Sequence, residues 1–377
     1  MVEMPIAPQQ NDKTASSVEP MLIDARVKTE VVNVEELPLP QCNQKLWHED
    51  GTVIVILSSM LFRVHQATLC DQSSVLKALV VLSQAVPISE EAPTPGEKDL
   101  RYIHLDDDPA DIEQLLLSLY DAECTAPEQV SFTLVSAWLR MGTKYKVDRL
   151  RDDAIRRLAI CYPSTLRNFD LANSASFVLP IEAPTVPEAP MVAFLALTHD
   201  LPYILPLALY YCCLEQPSSL RSIIDKASQT YGRGITRDDP SLIARCYEGR
   251  PALLDLHHKF LFTVFDGALS PECKRPTFCG SALHGLLMHA ARIRWFTSPD
   301  IFYWHWDAIK SLAACQACEA LVRRRYEDLR AQMWMKLPQC FGIELSETEW
   351  PIEDTTKASA SVPPPTNATR PPSGRDT

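Results

Sequence analysis

The stretch Asp50-Gly51-Thr52-Val53-Ile54-Val55-Ile56-Leu57-Ser58-Ser59-Met60-Leu61-Phe62-Arg63-Val64-His65, with the run that follows to Leu82, decides the fold of this chain. Asp50-Gly51 predicts a tight turn, since Gly relaxes the backbone where Asp hydrogen-bonds locally. Val53 to Leu57 is β-branched, apolar and unbroken, the pattern of a strand buried on both faces. Phe62 to Val64 predicts a short return strand. From His65 to Leu82 apolar residues recur at helical spacing, with Leu69, Val75, Leu76 and Leu79 expected to face inward.

The same periodicities continue downstream. Pro87 to Lys98 holds three prolines and three glutamates and predicts a solvated loop. Arg101 to Leu105 predicts a third short strand. Asp106-Asp107-Asp108-Pro109 then predicts a helix N-terminus, because Asp before Pro is an N-cap arrangement and negative charge suits the helix dipole. Ile112, Leu115, Leu116 and Leu119 follow as a buried stripe. Val130 to Met141 predicts another helix, and Lys144-Tyr145-Lys146-Val147 a turn into one that ends near Leu158. Arg151, Arg156 and Arg157 are expected on a solvated helix face.

In this order the residues Asp50, Phe62, His65, Leu69 and Ser73, and later Lys144-Tyr145-Lys146-Val147 with Leu150, resemble a BTB/POZ domain over roughly 110 residues. One departure stands out: the family's Ser-x-x-Phe reads Ser73 to Leu76 here, which keeps an apolar contact at lower volume. Beyond Tyr162-Pro163, the run Trp334, Leu337, Pro338 and Phe341 is similar to the all-α second half of BTB proteins common in mushroom-forming fungi. The resemblance implies an α+β fold, a short β-sheet flanked by helices, followed by a mostly helical region. It also implies homodimerisation, with Asp50, His65, Leu69 and Ser73 at the dimer interface and groove.

The expected organisation is a disordered N-terminal arm over 1–40, a BTB/POZ domain over 41–165 and a Pro-rich linker over 166–190. A helical region over 191–350 and a disordered tail over 351–377 complete it. Within the helical region, Met191 to Cys213 predicts two short helices parted by Asp200-Leu201-Pro202, and Pro217 to Asp239 reads as a polar stretch. Ser241 to Phe265, Ser281 to Phe296 and Pro299 to Leu337 are helical in composition. Pro338 is expected to stop the last helix by removing a backbone donor.

Composition narrows the function classes. A net charge of −12 and a pI near 5.3 argue against general nucleic-acid affinity, which needs a basic footprint. No apolar run approaches the ~20 residues that span a bilayer, and no secretory signal opens the chain, so an intracellular protein, nuclear or cytoplasmic, is expected. Its twelve cysteines should then be reduced thiols. Four of them, Cys273, Cys279, Cys315 and Cys318, admit a zinc reading, because Cys-x-x-Cys lets one turn supply two ligands; His284 and His289 would be spare ligands. Buried, inert thiols are the commoner state of such residues. The working expectation is therefore no metal and no cofactor.

No nucleophile elbow, His-Glu-x-x-His helix or Walker lysine is present, and no lysine follows Gly280 to Gly285. No enzymatic activity is expected. His65 reads as a structural residue whose ring caps the following helix. The leading reading is a protein-interaction protein: a homodimer with a helical region that recognises another protein. Adaptors that bring substrates to a cullin-based ubiquitin ligase are one downstream class, contacting the cullin scaffold through the helices around Asp111 to Tyr120 and Val130 to Met141. The alternatives are a BTB-type transcription regulator lacking its own DNA-binding motif, and an enzyme with an unrecognised site among Trp295, Trp304 and Trp306.

Overall fold

The unbroken apolar run does become the middle of a sheet. In the computed structural model, Val53–Ile56 (β2) pairs antiparallel with Met60–Val64 (β3) and parallel with Leu100–His104 (β5). Gln41–Trp47 (β1) adds to the far side of β3 in parallel, and Ala85–Val86 (β4) closes the other edge against β5. The order across the sheet is β1-β3-β2-β5-β4. A central strand has no solvent-facing side, so Val53, Ile54, Val55 and Leu57 are all buried. The structure describes residues 40–83, 85–86, 100–121, 128–182, 188–231, 240–292, 295–302 and 313–351. The expected loop at 87–98 lies outside them, as do Trp304 and Trp306, the arm save Pro40, and the tail save Pro351.

Helices follow where the stripes and caps predict them. Gln66–Gln72 (α1) and Ser74–Leu82 (α2) break at Ser73, whose extended backbone starts α2 and whose Oγ accepts the Leu76 N–H at 3.0 Å. Pro109–Tyr120 (α3) is capped by Asp108, which accepts the Ala110 N–H at 2.8 Å, and it buries Ile112, Leu115, Leu116 and Leu119. Phe132–Lys144 (α4) is capped by Ser131. Asp148–Cys161 (α5) completes the N-terminal half.

Arg151 and Arg156 keep to the expected solvated face, but Arg157 does not. Its guanidinium is buried, held by Asp153 at 2.8 Å and by the Pro180 carbonyl at 2.9 Å. A fixed guanidinium with several donors satisfies carbonyls that the chain leaves inside.

The described residues of the stretch expected to be a Pro-rich linker, 166–182 and 188–190, include regular structure. Leu166–Ala172 (α6) is a helix capped by Thr165, and Ile181 forms a bridge to Val130. Helices Ala189–Thr198 (α7) and Leu205–Leu214 (α8) follow, parted where Asp200-Leu201-Pro202 predicted. Pro217–Tyr231 (α9) lies in the stretch read as merely polar. Pro240–Val264 (α10), Pro276–Arg292 (α11), a 3-10 turn at Trp295–Thr297 and Gln316–Cys340 (α12) complete the described elements. No helix among the described residues is long and apolar enough to cross a membrane.

Among the described residues, the two halves share one core. Trp334 of α12 lies between Phe169, Phe302 and Trp350, with ring centroids 5.1 Å from each, and its indole donates to the Ser164 carbonyl at 3.0 Å. Arg330, one turn earlier, makes two hydrogen bonds to Asp170 of α6 at 2.7 and 2.5 Å. Pro338 does not stop this helix, which runs on to Cys340. Its missing N–H leaves the Trp334 carbonyl without a helical donor, and the Trp350 indole supplies one at 3.0 Å.

Candidate functional site

The turn before β2 builds the first site. The Gly51 N–H closes it on the His48 carbonyl at 2.9 Å. Glycine is required there by close approach: a Cβ would sit 3.0 Å from Arg63 Cγ, the His48 oxygen and the Val64 nitrogen. Asp50 is thereby pushed outward, its side chain 82% exposed, with Oδ1 3.0 Å from His65 Nε2. The other ring nitrogen of His65, Nδ1, lies 2.8 Å from the Tyr120 hydroxyl, which also accepts the His65 backbone N–H at 2.7 Å. These bonds are mutually consistent when the Tyr120 O–H donates to Nδ1 and Nε2–H donates to Asp50. The His48 ring stacks on Tyr120 at 4.7 Å.

Electrostatics follow the geometry. The hydrogen bond from His65, then a backbone N–H, holds the Asp50 carboxyl below its ordinary range. Burial raises the Tyr120 phenol above its own. With its hydroxyl engaged twice and hard to ionise, Tyr120 positions His65 and is a poor nucleophile. His65 precedes α1 but its ring does not cap the helix; the ring is turned to Asp50 and Tyr120 instead. Tyr120, at the far end of α3, was not foreseen as a partner, because nothing local in sequence links it to His65.

Leu69 and Ser73, expected beside Asp50 and His65 at an interface, lie in the core instead. Ser73 Oγ donates to the Tyr145 carbonyl at 2.5 Å while capping α2. The chain at Tyr145 needs that anchor, since Lys146 turns with φ of 53°. Asp107 accepts from Lys144 at 2.6 Å and from the Tyr145 hydroxyl, and burial and that carboxylate push the phenol well up. The Asp106–Asp108 run thus does capping and pairing work. On the face of α3, α4 and α5 a cleft of about 600 Å³ is lined by Leu117, Leu134, Trp138, Arg149 and Arg156.

The second site is sulfur-rich. Cys273, Cys279, Cys315 and Cys318, distant in sequence, come together with all four Sγ atoms within 4.8 Å of one another. Three elements deliver them: the loop after α10, the first turn of α11, and the start of α12. Cys315 and Cys273 sulfurs are 3.9 Å apart, and the Cys315 N–H meets Cys279 Sγ at 3.3 Å. The Cys318 N–H, foremost, holds the Cys315 thiol down to about 6, whereas burial pushes Cys318 up to about 12. His284 and His289, considered as spare ligands, sit further along α11 on its exposed side. No protein-family model matches the chain, and no curated protein matches it.

Proposed function

We propose that the chain is a BTB-type protein-interaction protein that acts as an intracellular homodimer and not as a catalyst. From Val53 to Cys161 the elements run strand, strand, two helices, strand, three helices, apart from the two-residue edge strand β4. That order is what the resemblance at Asp50, Phe62, His65 and Lys144 to Leu150 implies for a BTB/POZ fold. The observation that carries the reading is Asp50. Its carboxylate is fixed in direction by His65 and Tyr120 yet stands open to solvent, beside β1 at the edge of the sheet. A preorganised but unburied carboxylate is suited to accept hydrogen bonds from a second molecule. In this reading that molecule is another copy of the chain, across a two-fold axis that brings the same face to itself. Multi-angle light scattering on the full chain should give twice the 42.3 kDa chain mass. A monomer persisting at about 100 µM overturns the reading.

The cleft between α3, α4 and α5 favours one downstream role over the others. An apolar floor of Leu117, Leu134 and Trp138, rimmed by Arg149 and Arg156 and by Asp121, Asp152 and Asp153, suits the apolar face of an amphipathic helix with charges of both signs beside it. This is the face through which a cullin scaffold would be engaged in the ubiquitin-ligase adaptor reading. Affinity capture followed by mass spectrometry tests it: cullin peptides lost on Trp138→Ala support the adaptor role, and a partner set without a cullin removes it.

A further inference from the structure

We propose that Cys273, Cys279, Cys315 and Cys318 bind one zinc ion as a closed structural site that fastens the starts of α11 and α12 to the loop after α10. This goes beyond the interaction role above and does not depend on it. The distances carry the argument. Zinc bonds to sulfur at about 2.3 Å, so the edges of a tetrahedron of four thiolates measure about 3.8 Å. The Cys273–Cys315 separation is 3.9 Å, and no pair of the four exceeds 4.8 Å.

Other arrangements fit less well. A disulfide needs about 2.05 Å between sulfurs, and all four residues are free thiols here. A two-iron cluster spreads its four cysteines over two metal atoms, which would not leave every sulfur this close to every other. Four thiols gathered only as small apolar side chains would have no reason to receive an aligned backbone donor. Yet the Cys315 N–H points at Cys279 Sγ at 3.3 Å. Such an N–H···S bond is the outer support that orients a thiolate ligand and offsets its charge.

The surroundings agree on charge and on type. Four thiolates around a dication leave two net negative charges. The first turns of α11 and α12 present the positive ends of their dipoles, and Lys274 and Arg275 follow Cys273 in the chain, with Glu272 before it. With four protein ligands, two of them fully buried, no coordination position is left for substrate, which makes the site structural. Binding exchanges thiol protons for metal: each ligand that enters as a thiol gives up its proton to solvent, up to four per zinc. The gain is conformational. A gap of 35 residues separates Cys279 from Cys315, and the ion closes it without a disulfide.

The test is metal analysis of the full chain, purified under reducing conditions from zinc-supplemented cells. Mass spectrometry should find about one zinc per chain. The double variant Cys315→Ser/Cys318→Ser should fall to below about a tenth of that, while Cys42→Ser, on β1 away from the cluster, keeps the full amount. Should the double variant not fold, the wild type answers by itself. Stripped with chelator and titrated with cobalt(II), it should develop a thiolate-to-metal charge-transfer band that saturates at one equivalent and is displaced by zinc. Wild-type protein that carries iron in place of zinc, or less than about a tenth of an equivalent of any metal and no cobalt band, overturns the proposal.

Discussion

The N-terminal half, from β2 to α5, and the C-terminal half, from α7 to α12, are held together by different means. In the first, three of the five helices announce themselves: Ser73, Asp108 and Ser131 cap α2, α3 and α4 with their own side chains, and α3 buries one clean stripe. In the second, seven of ten residues of α7 and eight of ten of α8 are buried, so these helices have no solvent face to reveal a period. Neither α7, α8 nor α12 has a side-chain cap. The N-cap of α12 is Cys315, whose sulfur faces the other three cysteines. One half is specified by local pattern, the other by contacts between residues far apart in sequence, and each should fail in its own way.

The largest effect should come from Trp334→Ala. Trp334 fills the space between α6, Phe302 and Trp350, and truncating a buried aromatic costs about 3–5 kcal/mol. Two further bonds are disturbed with it: its own to Ser164, and the stacked position from which Trp350 caps the Trp334 carbonyl. Limited proteolysis should cut freely from α6 onward and leave a fragment ending near Tyr162 to Ser164. That boundary sharpens the comparison, because α6 is tied to α12 and so should loosen with the second half. A surviving fragment that keeps α6 and ends near residue 190 would assign α6 to the first half. Digestion like the wild type would remove Trp334 as the anchor.

How much of this could be read in advance follows the same division. The central strand, the Ile112 to Leu119 stripe, the Asp108 cap and the break at Asp200-Leu201-Pro202 are local, and all are visible in the sequence. Helix α6 is not, because seven residues between Pro163 and a proline-rich run carry no period of their own. Its support comes from Phe169 against Trp334 and from Asp170 against Arg330, 160 residues away. The continuation of α12 past Pro338 depends on Trp350, beyond the helix end. Leu69 and Ser73 were assigned to an interface by resemblance, whereas burial puts them in the core. For the cysteines, the Cys-x-x-Cys spacing was legible, but the meeting of its sulfurs with Cys273 and Cys279 needed the path of three elements.

Next in size is Asp170→Asn. The Asp170–Arg330 pair is largely removed from water, with side chains 19% and 5% exposed. Replacing the carboxylate by an amide leaves a buried guanidinium uncompensated, and breaking one side of a buried pair costs about 3–5 kcal/mol. The shape is preserved and the ring cluster remains, so the lower end, about 3 kcal/mol, is expected. Chemical denaturation followed by tryptophan fluorescence measures it. A loss below about 1 kcal/mol would mean that the pair behaves as a surface contact and that the rings alone join α6 to α12.

Asp50→Asn is the same chemical change in the other half, and it should barely move the stability of the folded chain. Asp50 meets His65 at 3.0 Å, a distance close to those in the Asp170 pair, but in open solvent. An exposed pair exchanges one set of water contacts for another and is screened by salt, so its loss is small. An asparagine there still accepts the His65 hydrogen bond through its carbonyl oxygen, and Tyr120 still fixes the ring. Measured at a concentration low enough for the chain to be monomeric, the melting temperature should therefore stay within about one degree of the wild type. Self-association is where the charge matters in the proposed dimer: a carboxylate buried between two copies needs charged or donor partners there, and the amide weakens them. Sedimentation equilibrium should show a dimer constant weakened about tenfold or more. A lowered melting temperature with an unchanged dimer constant would make Asp50 a structural turn residue and break the parallel between the two pairs. An unchanged value of both would leave it a solvated carboxylate, and the dimer face would have to be sought elsewhere on the sheet edge.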